Sequence, residues 1–523
     1  MPGSKPPDAI QEGAALPSGR RAQPRLCDLL RTIPVELLSG YFEVPVRAIV
    51  ADSRAVEPGD VFVCLPGYRT EGGEVRADRH DFIPMAIDRG AKALVVERRI
   101  LPPPGITVVR VPNGWSAIAT MACEFFDHPS AALTVVGVTG TSGKTSTTYF
   151  IESVLNAGGI RTARFGTIEY RFGDVGIPAP QTTPEAPELQ RLLRRAVDEG
   201  FRAVVMEVSS HALELRRVGG VAFDVAVFTN ISQDHLNFHP DMRHYLQAKG
   251  RLFEELGSGG KAATAVVNLD DPCAERIIEI NRGALLTFGV EHPADVRARD
   301  IETDLAGTRF VASTPVGDVA VALPHLGDFH VHNALAAIAT GIALHIDLAD
   351  IRRGLAAAPP VPGRFELVDC GQQFNVAVDY AHKPDALERL LRSARRLQPR
   401  RVITVFGCGG DRDRGKRPVM GRLAAELSDV VIVTSDNPRS EPPEQIIAEI
   451  MTGVRSVAGA EARATIVPDR ARAIDAAIDL AQPDDLVLIA GKGHETYQLF
   501  ADRRMHFDDR EQVRAALQRR RDA

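Results

Sequence analysis

Short apolar, β-branched runs alternate with helical patterns along most of the chain. In its first part the runs are brief, and a helical pattern at 82–89 lies between two of them. These runs are at residues 48–51, 60–64, 93–96 and 106–109. Runs of this length bounded by turn residues are typical of buried strands, and their alternation with helical patterns favours a small α/β domain.

The later apolar runs are more regular, and most of them end in loops that are rich in glycine or charged residues. They lie at residues 133–138, 203–206, 224–228, 374–379, 402–406, 430–434 and 486–490. Strands that alternate with helices predict parallel sheets, in which ligands bind beyond the carboxyl ends of the strands. The pattern therefore predicts an α/β protein in which these loops form binding rims.

We divide the chain into three predicted domains that follow a tail. Residues 1–24 are rich in Pro, Gly, Ser and Ala and predict a disordered tail. Residues 25–131 predict the small N-terminal α/β domain, 132–360 a central domain with a parallel sheet of the P-loop mononucleotide-binding type, and 361–523 a Rossmann-like C-terminal sheet. The length of 523 residues agrees with three domains.

Composition excludes several classes of protein. A net charge of −6 gives no reason to expect nucleic-acid binding, and no apolar run approaches membrane-spanning length. The six cysteines are scattered without metal-ligand or disulfide spacing, at positions 27, 64, 123, 273, 370 and 408. Hydrophobic residues at 44% and charged residues at 25% are ordinary for a globular protein. We expect a soluble, cytoplasmic protein with reduced thiols.

The strongest candidate for chemistry is a glycine-rich loop between the run at 133–138 and a helical pattern from Ser146 to Leu155. The loop reads Gly140-Thr-Ser-Gly-Lys-Thr145. Glycines let backbone N–H groups approach phosphate oxygens, and the helix N-terminus adds its positive dipole end. Lys144 would neutralise the β- and γ-phosphates, and the Thr145 hydroxyl would bind Mg²⁺. The usual P-loop glycine position is occupied by Val138, with Gly137 one residue earlier, so the loop is a longer variant.

Other candidate site residues are singled out because they follow a predicted strand. Glu207 and the Asp234-His235 pair would share a rim with Lys144, where a carboxylate suits Mg²⁺ or its outer shell. Several residues remain open between two interpretations. Thr182 or Thr183 fits a helix N-cap, Ser53-Arg54 fits a diphosphate contact or a capped turn, and Lys249 fits a solvated surface lysine.

Taken together, the motifs resemble the Mur ligases of peptidoglycan precursor synthesis, over nearly the whole chain after residue 45. The most specific matches are Gly140-Thr-Ser-Gly-Lys-Thr145, Met206-Glu-Val-Ser-Ser-His211, Asp379-Tyr-Ala-His382, Gly407-Cys-Gly-Gly-Asp-Arg412, Asp436-Asn-Pro-Arg439 and Gly491-Lys-Gly-His-Glu495. The resemblance is to members that add meso-diaminopimelate to UDP-N-acetylmuramoyl-L-alanyl-D-glutamate. It implies a cytoplasmic, ATP- and Mg²⁺-dependent ligase, which we expect to be a monomer, acting in cell wall biogenesis, cell shape and cell division.

The resemblance also implies roles for individual residues. Ala51 and Ser53 would contact the UDP-sugar, and Thr182, Thr183, Ser209 and Arg217 the muramoyl-dipeptide. Leu215 stands where the family often has Gln. ATP would bind Gly140, Thr141, Ser142, Gly143, Lys144 and Thr145, with Asn333 near the adenine and Arg364, Asp379 and His382 from the C-terminal domain. His330 stands where Asn is commoner.

The implied catalytic residues are Lys144, Glu207, His235 and Lys249. Lys249 resembles the lysine that the family carbamylates to N6-carboxylysine, which would let it bind a second Mg²⁺. The implied metal ligands are thus Thr145, Glu207, His235 and carbamylated Lys249.

Substrate choice depends on Asp436-Asn-Pro-Arg439, which in the resemblance marks users of meso-diaminopimelate. An arginine fork binds the second carboxylate of diaminopimelate bidentately, whereas it would repel the far ammonium of lysine. The remaining implied contacts are Arg412, Gly491 and Glu495, the last suited to the far ammonium. Asp436, Asn437 and Pro438 complete the predicted site.

The expected reaction passes the γ-phosphoryl group of ATP to the D-glutamate side-chain carboxylate, and an amine then attacks the acyl phosphate. That amine must be deprotonated; His211 or a carboxylate is a candidate for this step, and the sequence does not identify the base. The alternatives are a lysine-adding homologue, a folylpolyglutamate synthetase-type ligase, a small-molecule kinase and a nucleotide sensor. The second of these would not need about 110 residues before the P-loop.

Overall fold

The structure, a computed structural model, describes residues 23–69 and 75–522. Of the tail expected at residues 1–24, all but the last two positions lie outside the described residues. The chain divides into two compact units. The first contains the described residues up to Thr141 together with Gly159–Leu286, and the second contains Ser142–Gly158 and the described residues from Thr287 onward. The change of unit falls inside the glycine-rich loop.

A five-stranded sheet begins the first unit, in the order β1-β7-β6-β3-β2, with β1 antiparallel to β7 and the other pairs parallel. A separate hairpin pairs β4 with β5. The strands are β1 Glu36–Ser39, β2 Ile49–Val50, β3 Val61–Val63, β4 Tyr68–Arg69, β5 Val75–Arg76, β6 Ala93–Val96 and β7 Thr107–Arg110. The helices are α1 Leu26–Leu29, α2 Ile83–Asp88 and α3 Gly114–Phe125, with 3₁₀ turns at Arg79–Phe82 and Pro129–Ala132.

The side chains of β3 point alternately to the two faces of the sheet, and both faces are buried. Val61 and Val63 belong to the core that contains residues of α1 and α3, while Phe62 belongs to the core that contains residues of α2. Successive side chains of a strand point to opposite faces, so a short, fully apolar strand fits between two helical layers.

The second sheet of the first unit has β8 at its centre, in the order β11-β10-β9-β12-β8-β13-β14-β15. Strands β9, β12, β8, β13 and β14 are parallel, and β10 and β11 form an antiparallel hairpin. The strands are β8 Thr134–Thr139, β9 Thr162–Phe165, β10 Glu169–Phe172, β11 Val175–Pro178, β12 Ala203–Glu207, β13 Val225–Phe228, β14 Thr264–Asn268 and β15 Ala284–Gly289. The helices in this stretch of chain are α4 Lys144–Ala157, α5 Ala186–Asp198, α6 Ser210–Glu214, α7 Met242–Glu254 and α8 Ala274–Ile280.

Strand β15 spans the change of unit, and its last residues pair in parallel with the start of an antiparallel meander in the second unit. The meander comprises β16 Val296–Asp304, β17 Gly307–Thr314 and β18 Gly317–Leu323. Helices α9 Phe329–Ala343 and α10 Leu348–Ala356 follow. Both of them pack against α4.

The rest of the second unit is a six-stranded sheet in the order β19-β20-β24-β21-β22-β23, parallel except for β19. Its strands are β19 Glu366–Leu367, β20 Asn375–Asp379, β21 Val402–Phe406, β22 Val430–Val433, β23 Ala464–Ile466 and β24 Leu486–Ala490; β25 Tyr497–Leu499 and β26 Arg504–His506 form a hairpin. The helices are α11 Pro384–Arg396, α12 Lys416–Leu427, α13 Pro443–Arg455, α14 Arg470–Leu480 and α15 Asp509–Asp522, with a 3₁₀ turn at Glu461–Arg463.

Strand β24 shows the same two-sided burial as β3. Leu486, Leu488 and Ala490 belong to the core beneath α11, α12 and α13, whereas Val487 and Ile489 belong to the core beneath α14 and α15. The carboxyl ends of β21, β22 and β24 therefore lie between two helical layers at one edge, where their loops meet.

The predicted α/β class with parallel sheets is confirmed. The meander β16–β18 and the hairpin β10–β11 were not predicted, and α4 begins at Lys144 rather than at Ser146. The three domain boundaries remain a prediction. Within the described ranges, no helix is both long enough and apolar enough to cross a membrane.

Candidate active site

The glycine-rich loop leaves the carboxyl end of β8 and enters α4, as the pattern predicted. Gly143 caps the helix with φ of 86°, in the left-handed region that favours glycine. A Cβ atom on Gly143 would lie 2.5 Å from Asn333 Oδ1, so a larger residue would clash as well as strain the backbone. Lys144 is the first residue of α4 and is half-buried, and Thr145 is buried behind it.

In the first unit, Glu207 ends β12 beside the carboxyl end of β8, since Glu207 pairs with Val138. Its side chain is buried and accepts hydrogen bonds from Thr167, at 2.9 Å from the backbone N and 3.1 Å from Oγ1. A Cβ atom on Gly166 would lie 2.4 Å from Glu207 Oε1, which explains the glycine there. The structure thus holds this carboxylate at the carboxyl end of β12, beside that of β8. Thr167 was missed, and nothing in the local sequence pattern distinguishes it.

Lys249 lies on α7 with its side chain buried, contrary to the surface position that its pattern alone suggested. Its Nζ donates a 2.8 Å hydrogen bond to the carbonyl oxygen of Gly140 and lies 4.7 Å from the centre of the Tyr245 ring. The Tyr245 hydroxyl is 3.0 Å from Thr141 Oγ1. The lysine therefore contacts the first residue of the glycine-rich loop directly.

His235 has φ of 54° and pairs with its neighbour, with His235 Nε2 3.0 Å from Asp234 Oδ2. Its ring meets the ring of His211 edge-on, with ring centres 4.9 Å apart. Burial first, and then the adjacent His235, lower the pKa of His211 to about 2. The part of His211 in deprotonating the attacking amine stays a prediction.

The residues expected at the muramoyl-dipeptide lie next to Glu207. Thr183 Oγ1 donates to the backbone carbonyl oxygen of Glu207 at 2.9 Å and accepts from the backbone N of Ser209 at 3.0 Å. Thr182 Oγ1 is 3.1 Å from Thr167 Oγ1, and the Ser209 hydroxyl caps α6. One hydrogen-bonded set in the first unit thus comprises Thr167, Thr182, Thr183, Glu207 and Ser209.

Arg217 is buried beside the same set. Its guanidinium donates to the Gln181 side chain and to the carbonyl oxygen of Thr183 at 3.3 Å, and it lies 3.1 Å from Glu185. Its Nε has no hydrogen-bond partner within the described chain. Leu215 packs in the core of the five-stranded sheet, so at this position the chain supplies an apolar contact.

Ala51 and Ser53 follow β2 in the five-stranded sheet. The carbonyl oxygen of Ala51 accepts from Arg79 at 2.9 Å, and the buried Ser53 hydroxyl lies 3.3 Å from Met85 Sδ. Asp52 and Arg54 pair through their exposed side chains, as in the capped turn considered above.

In the second unit, Arg364 follows α10 and reaches the start of α4. Its Nη2 lies 3.3 Å from Thr145 Oγ1, and its guanidinium stacks 4.8 Å from the centre of the Tyr380 ring. Asn333 accepts from Thr147 Oγ1 at 3.2 Å, and its amide lies 3.4 Å from His330 Nδ1. The structure brings together the predicted ATP contacts Asn333 and Arg364 with the helix that begins at Lys144.

Asp379 and His382 are held by hydrogen bonds to backbone groups. The Asp379 carboxylate accepts from Phe365 N and Ala381 N, both at 2.7 Å, and burial raises the pKa of Asp379. His382 Nδ1 lies 2.8 Å from the carbonyl oxygen of Tyr380. Asp379 thus ties the linker segment at Phe365 to the end of β20.

The loops after β21 and β22 adjoin at Arg439. This residue has φ of 51°, and its Nη1 donates to the carbonyl oxygen of Gly410 at 2.8 Å. A Cβ atom on Gly410 would lie 1.9 Å from the carbonyl oxygen of Pro438, so only glycine allows the two loops to approach so closely. Arg412, in the first of these loops, donates to the Asp411 carbonyl oxygen at 2.9 Å.

The loop after β24 lies against the loop after β22. Asn437 Nδ2 donates to Glu495 Oε2 at 2.8 Å, and a Cβ atom on Gly491 would lie 2.8 Å from Asp436 Oδ2. Lys492, within the Gly491–Glu495 motif, is buried between these residues and was not singled out in the sequence. The predicted diaminopimelate residues Asp436, Asn437, Arg439, Gly491 and Glu495 are therefore linked through adjoining loops of the second unit.

Comparison with known proteins assigns the family. Family models match at residues 138–341 (Mur ligase middle domain), 363–493 (Mur ligase, glutamate ligase domain) and 45–124 (Mur ligase family, catalytic domain). The chain is 45% identical over 508 residues to the UDP-N-acetylmuramoyl-L-alanyl-D-glutamate–2,6-diaminopimelate ligase of Geobacter metallireducens, covering 94% of this chain and 98% of that protein. Its identity to the protein of the same name from Syntrophomonas wolfei is 43% over 486 residues, covering 93% and 97%.

Similarity to solved structures supports the same family. A structure of a UDP-N-acetylmuramoyl-L-alanyl-D-glutamate–2,6-diaminopimelate ligase is 33% identical with a TM-score of 0.68, covering 95% of this chain and 99% of that one. The MurF ligase of Thermotoga maritima in complex with ADP, 22% identical with a TM-score of 0.61 over 91% and 99% of the two chains, shares the fold. The chain therefore belongs to the Mur ligase family and is an ATP-dependent ligase that forms amide bonds.

Proposed function

We propose that this ligase adds meso-diaminopimelate to the D-glutamate of UDP-N-acetylmuramoyl-L-alanyl-D-glutamate, in the synthesis of peptidoglycan precursors. The observation that supports this most is the junction of the loops after β21, β22 and β24, where Arg439, Asn437 and Glu495 are held by hydrogen bonds to neighbouring loops. The names of the relatives that match over more than nine-tenths of the chain agree with this substrate.

The far end of diaminopimelate bears both a carboxylate and an ammonium, which need partners of opposite charge. Arg439 supplies a planar fork for the far carboxylate, and Glu495 supplies a carboxylate for the far ammonium. Arg439 already donates to the carbonyl oxygen of Gly410, which fixes its direction before substrate arrives. Arg412, Asp436, Pro438 and Gly491 complete the proposed pocket. Lysine lacks the far carboxylate, so it would leave a half-buried guanidinium without its partner.

ATP binds in this proposal at the glycine-rich loop, with Gly140, Thr141, Ser142 and Gly143 around the phosphates and Lys144 neutralising them. Arg364 and Asn333 flank the same helix. Asp379 lies at the end of β20, and His382 lies in the loop that follows it. The γ-phosphoryl group passes to the D-glutamate side-chain carboxylate. The amine of diaminopimelate then attacks the acyl phosphate, the amide bond forms and phosphate leaves.

Mg²⁺ fits the chemistry of the residues proposed to hold it. Thr145 and Glu207 offer the oxygen ligands that Mg²⁺ prefers, and His235 is the third candidate. Carbamylated Lys249 would replace a buried cation by a carboxylate beside Gly140. When bound, the metal would neutralise charge on the transferring phosphoryl group.

The carrier substrate occupies the first unit in this proposal. Ala51 and Ser53 contact the UDP-sugar in the N-terminal domain of residues 25–131, and Thr182, Thr183, Ser209 and Arg217 contact the muramoyl-dipeptide in the central domain of residues 132–360. The unpartnered Nε of the buried Arg217 supports an anionic ligand at this place. Residues 361–523 form the amino-acid-binding domain. The enzyme acts in the cytoplasm as a monomer and serves cell wall biogenesis, cell shape and cell division.

The test is phosphate release by purified protein that receives ATP, Mg²⁺ and the UDP-muramoyl-dipeptide, with diaminopimelate, with lysine or with no amino acid. We expect release with diaminopimelate only. Release with lysine alone would identify a lysine-adding ligase, and release that needs no amino acid would indicate a hydrolase. A kinase would keep the phosphoryl group on its product and release no phosphate with either amino acid. Any of these results would contradict the proposal.

A further inference from the structure

The second unit contains a buried cation that the reaction above does not use. The side chain of Lys492 has no exposed surface. Its Nζ lies 3.1 Å from Asn437 Oδ1, 3.1 Å from Glu495 Oε2 and 3.7 Å from Asp436 Oδ1. The ring of Tyr497 is centred 5.5 Å from the same nitrogen. Three of these four neighbours belong to the proposed diaminopimelate pocket.

The positive charge of Lys492 offsets the negative charges of Asp436 and Glu495. Two carboxylates buried side by side repel each other and favour the protonated form. With Lys492 among them, the group of Asp436, Glu495 and Lys492 bears one net negative charge. That charge suits a single ammonium group, such as the one at the far end of diaminopimelate. A substrate ammonium cannot itself take the place of Lys492, because the lysine is enclosed by protein.

Lys492 also links two loops through its hydrogen bond to Asn437. Asn437 Oδ1 accepts from both Lys492 Nζ and the backbone N of Leu499, and Asn437 Nδ2 donates to Glu495. The carbonyl oxygen of Asp436 accepts from Gln498 at 2.7 Å. The lysine thus joins the loop after β22 to the loop after β24 at the point where both supply substrate contacts.

We propose that Lys492 is a positioning residue for diaminopimelate, which keeps Glu495 ionised and aimed at the far ammonium without touching the substrate. This inference rests on the proposed function, since it assigns the ammonium to Glu495. It predicts that the charge of Lys492 governs amino-acid affinity and leaves ATP binding unchanged.

The acid–base balance of the pocket supports this assignment. Burial raises the pKa of Glu495, and Lys492 acts in the opposite direction. Burial also acts to raise the pKa of Asp436, but the surrounding cations, Lys492 first, bring it below its ordinary value. The other groups that face these two carboxylates are Arg470, His382, Lys416, Tyr380 and Tyr497. Without Lys492, Glu495 would hold its proton to higher pH.

The test compares Lys492→Met with the wild type in the phosphate-release assay. We expect the KM for diaminopimelate to rise by about tenfold or more, because a charged hydrogen bond contributes about 1.5–3 kcal/mol. The KM for ATP should change less than about twofold. The acid limb of kcat/KM for diaminopimelate should move up by about one pH unit or more, since loss of an opposite charge raises the pKa of a carboxyl group.

Two further variants make the test specific. Lys261→Met removes a lysine that pairs with Asp224 at 2.7 Å in the first unit, and it should leave both the KM for diaminopimelate and the pH profile unchanged. Lys492→Gln keeps an N–H donor for Asn437 but loses the charge. It should show the same shift of the acid limb, and it serves as the test if the Met variant does not fold.

The outcomes are separable from those of the proposed function. If the wild type does not use diaminopimelate, the proposed function is wrong and this inference falls with it. If the wild type uses diaminopimelate while a folded Lys492 variant keeps the same KM and the same pH profile, the inference alone is overturned.

Discussion

In the proposed function, the selection of the amino acid depends on Arg439. Arg439→Ala should lower kcat/KM for diaminopimelate by about 10- to 100-fold, because the far carboxylate loses a charged, two-pronged partner. Lysine, which has no such carboxylate, should be used no worse than by the wild type. Steady-state kinetics with each amino acid measure the ratio of kcat/KM for diaminopimelate to kcat/KM for lysine.

The matched control for this change is Arg503→Ala, which removes an exposed arginine that pairs with the exposed Asp502. This variant should keep the wild-type kcat/KM for diaminopimelate and for lysine. An unchanged preference in Arg439→Ala would refute the role given to that loop.

Arg470 and Asp509 illustrate a residue-scale contribution to stability. Neither side chain is exposed, and Arg470 Nη2 lies 2.7 Å from Asp509 Oδ2. The same guanidinium donates to the carbonyl oxygens of Ser435 and Ala490, immediately before the loops that begin at Asp436 and Gly491. Asp509→Asn leaves a buried guanidinium without its counter-charge, which costs about 3–5 kcal/mol.

Urea denaturation monitored in the second unit checks this expectation, with Asp502→Asn as the control. Asp502 pairs with Arg503 at the surface, and such pairs contribute about 0–1 kcal/mol. Equal midpoints for the two variants would show that the buried pair does not stabilise the fold.

At the scale of elements, the entry into α4 depends on Gly143. Gly143→Ala should weaken ATP binding, because the new methyl group would strain a left-handed residue and collide with Asn333. Gly159→Ala is the control, because Gly159 has φ of 76° and no atom within 4 Å of an added Cβ. The control should lose only about 1 kcal/mol of stability.

Titration of ATP into each variant separates the two effects. We expect the dissociation constant to rise in Gly143→Ala and to stay at the wild-type value in Gly159→Ala. Unaltered ATP affinity in Gly143→Ala would place the nucleotide elsewhere.

The sequence predicts some elements well and others poorly, for physical reasons. Strands buried on both faces, such as β6 and β21, are continuous apolar runs, and their predicted bounds agree with the structure. The meander β16–β18 has one exposed face, and β16 carries arginine and acidic residues at many of its positions. Such a strand has little apolar signal. Its antiparallel partners also lie outside the βαβ rule that predicted the rest.

The candidate site shows the same contrast. The glycine-rich loop singled out Lys144, the position directly after a buried strand singled out Glu207, and the Asp436-Asn-Pro-Arg439 motif singled out Arg439. Lys249 and Lys492 could not be recognised as buried from pattern alone, since lysine is rarely fully buried. The partners that bury them come from distant parts of the chain, such as Gly140 for Lys249 and Asn437 for Lys492.

At the scale of the whole molecule, an acyl phosphate must be protected from water while the amine attacks. We therefore expect open and closed states, with a hinge near residues 358–364. Small-angle X-ray scattering should show a smaller radius of gyration with a non-hydrolysable ATP analogue, the UDP-muramoyl-dipeptide and diaminopimelate together than with none of them. Superimposable curves would argue against closure.

The most direct test of the central claim follows an oxygen atom. The UDP-muramoyl-dipeptide is labelled with oxygen-18 in the side-chain carboxylate of its D-glutamate and is incubated with enzyme, ATP, Mg²⁺ and diaminopimelate, and both products are analysed by mass spectrometry. We predict that the released phosphate contains one labelled oxygen from that carboxylate and that the carrier gains one diaminopimelate with loss of water. Unlabelled phosphate, or a carrier of unchanged mass, would contradict ligation through an acyl phosphate.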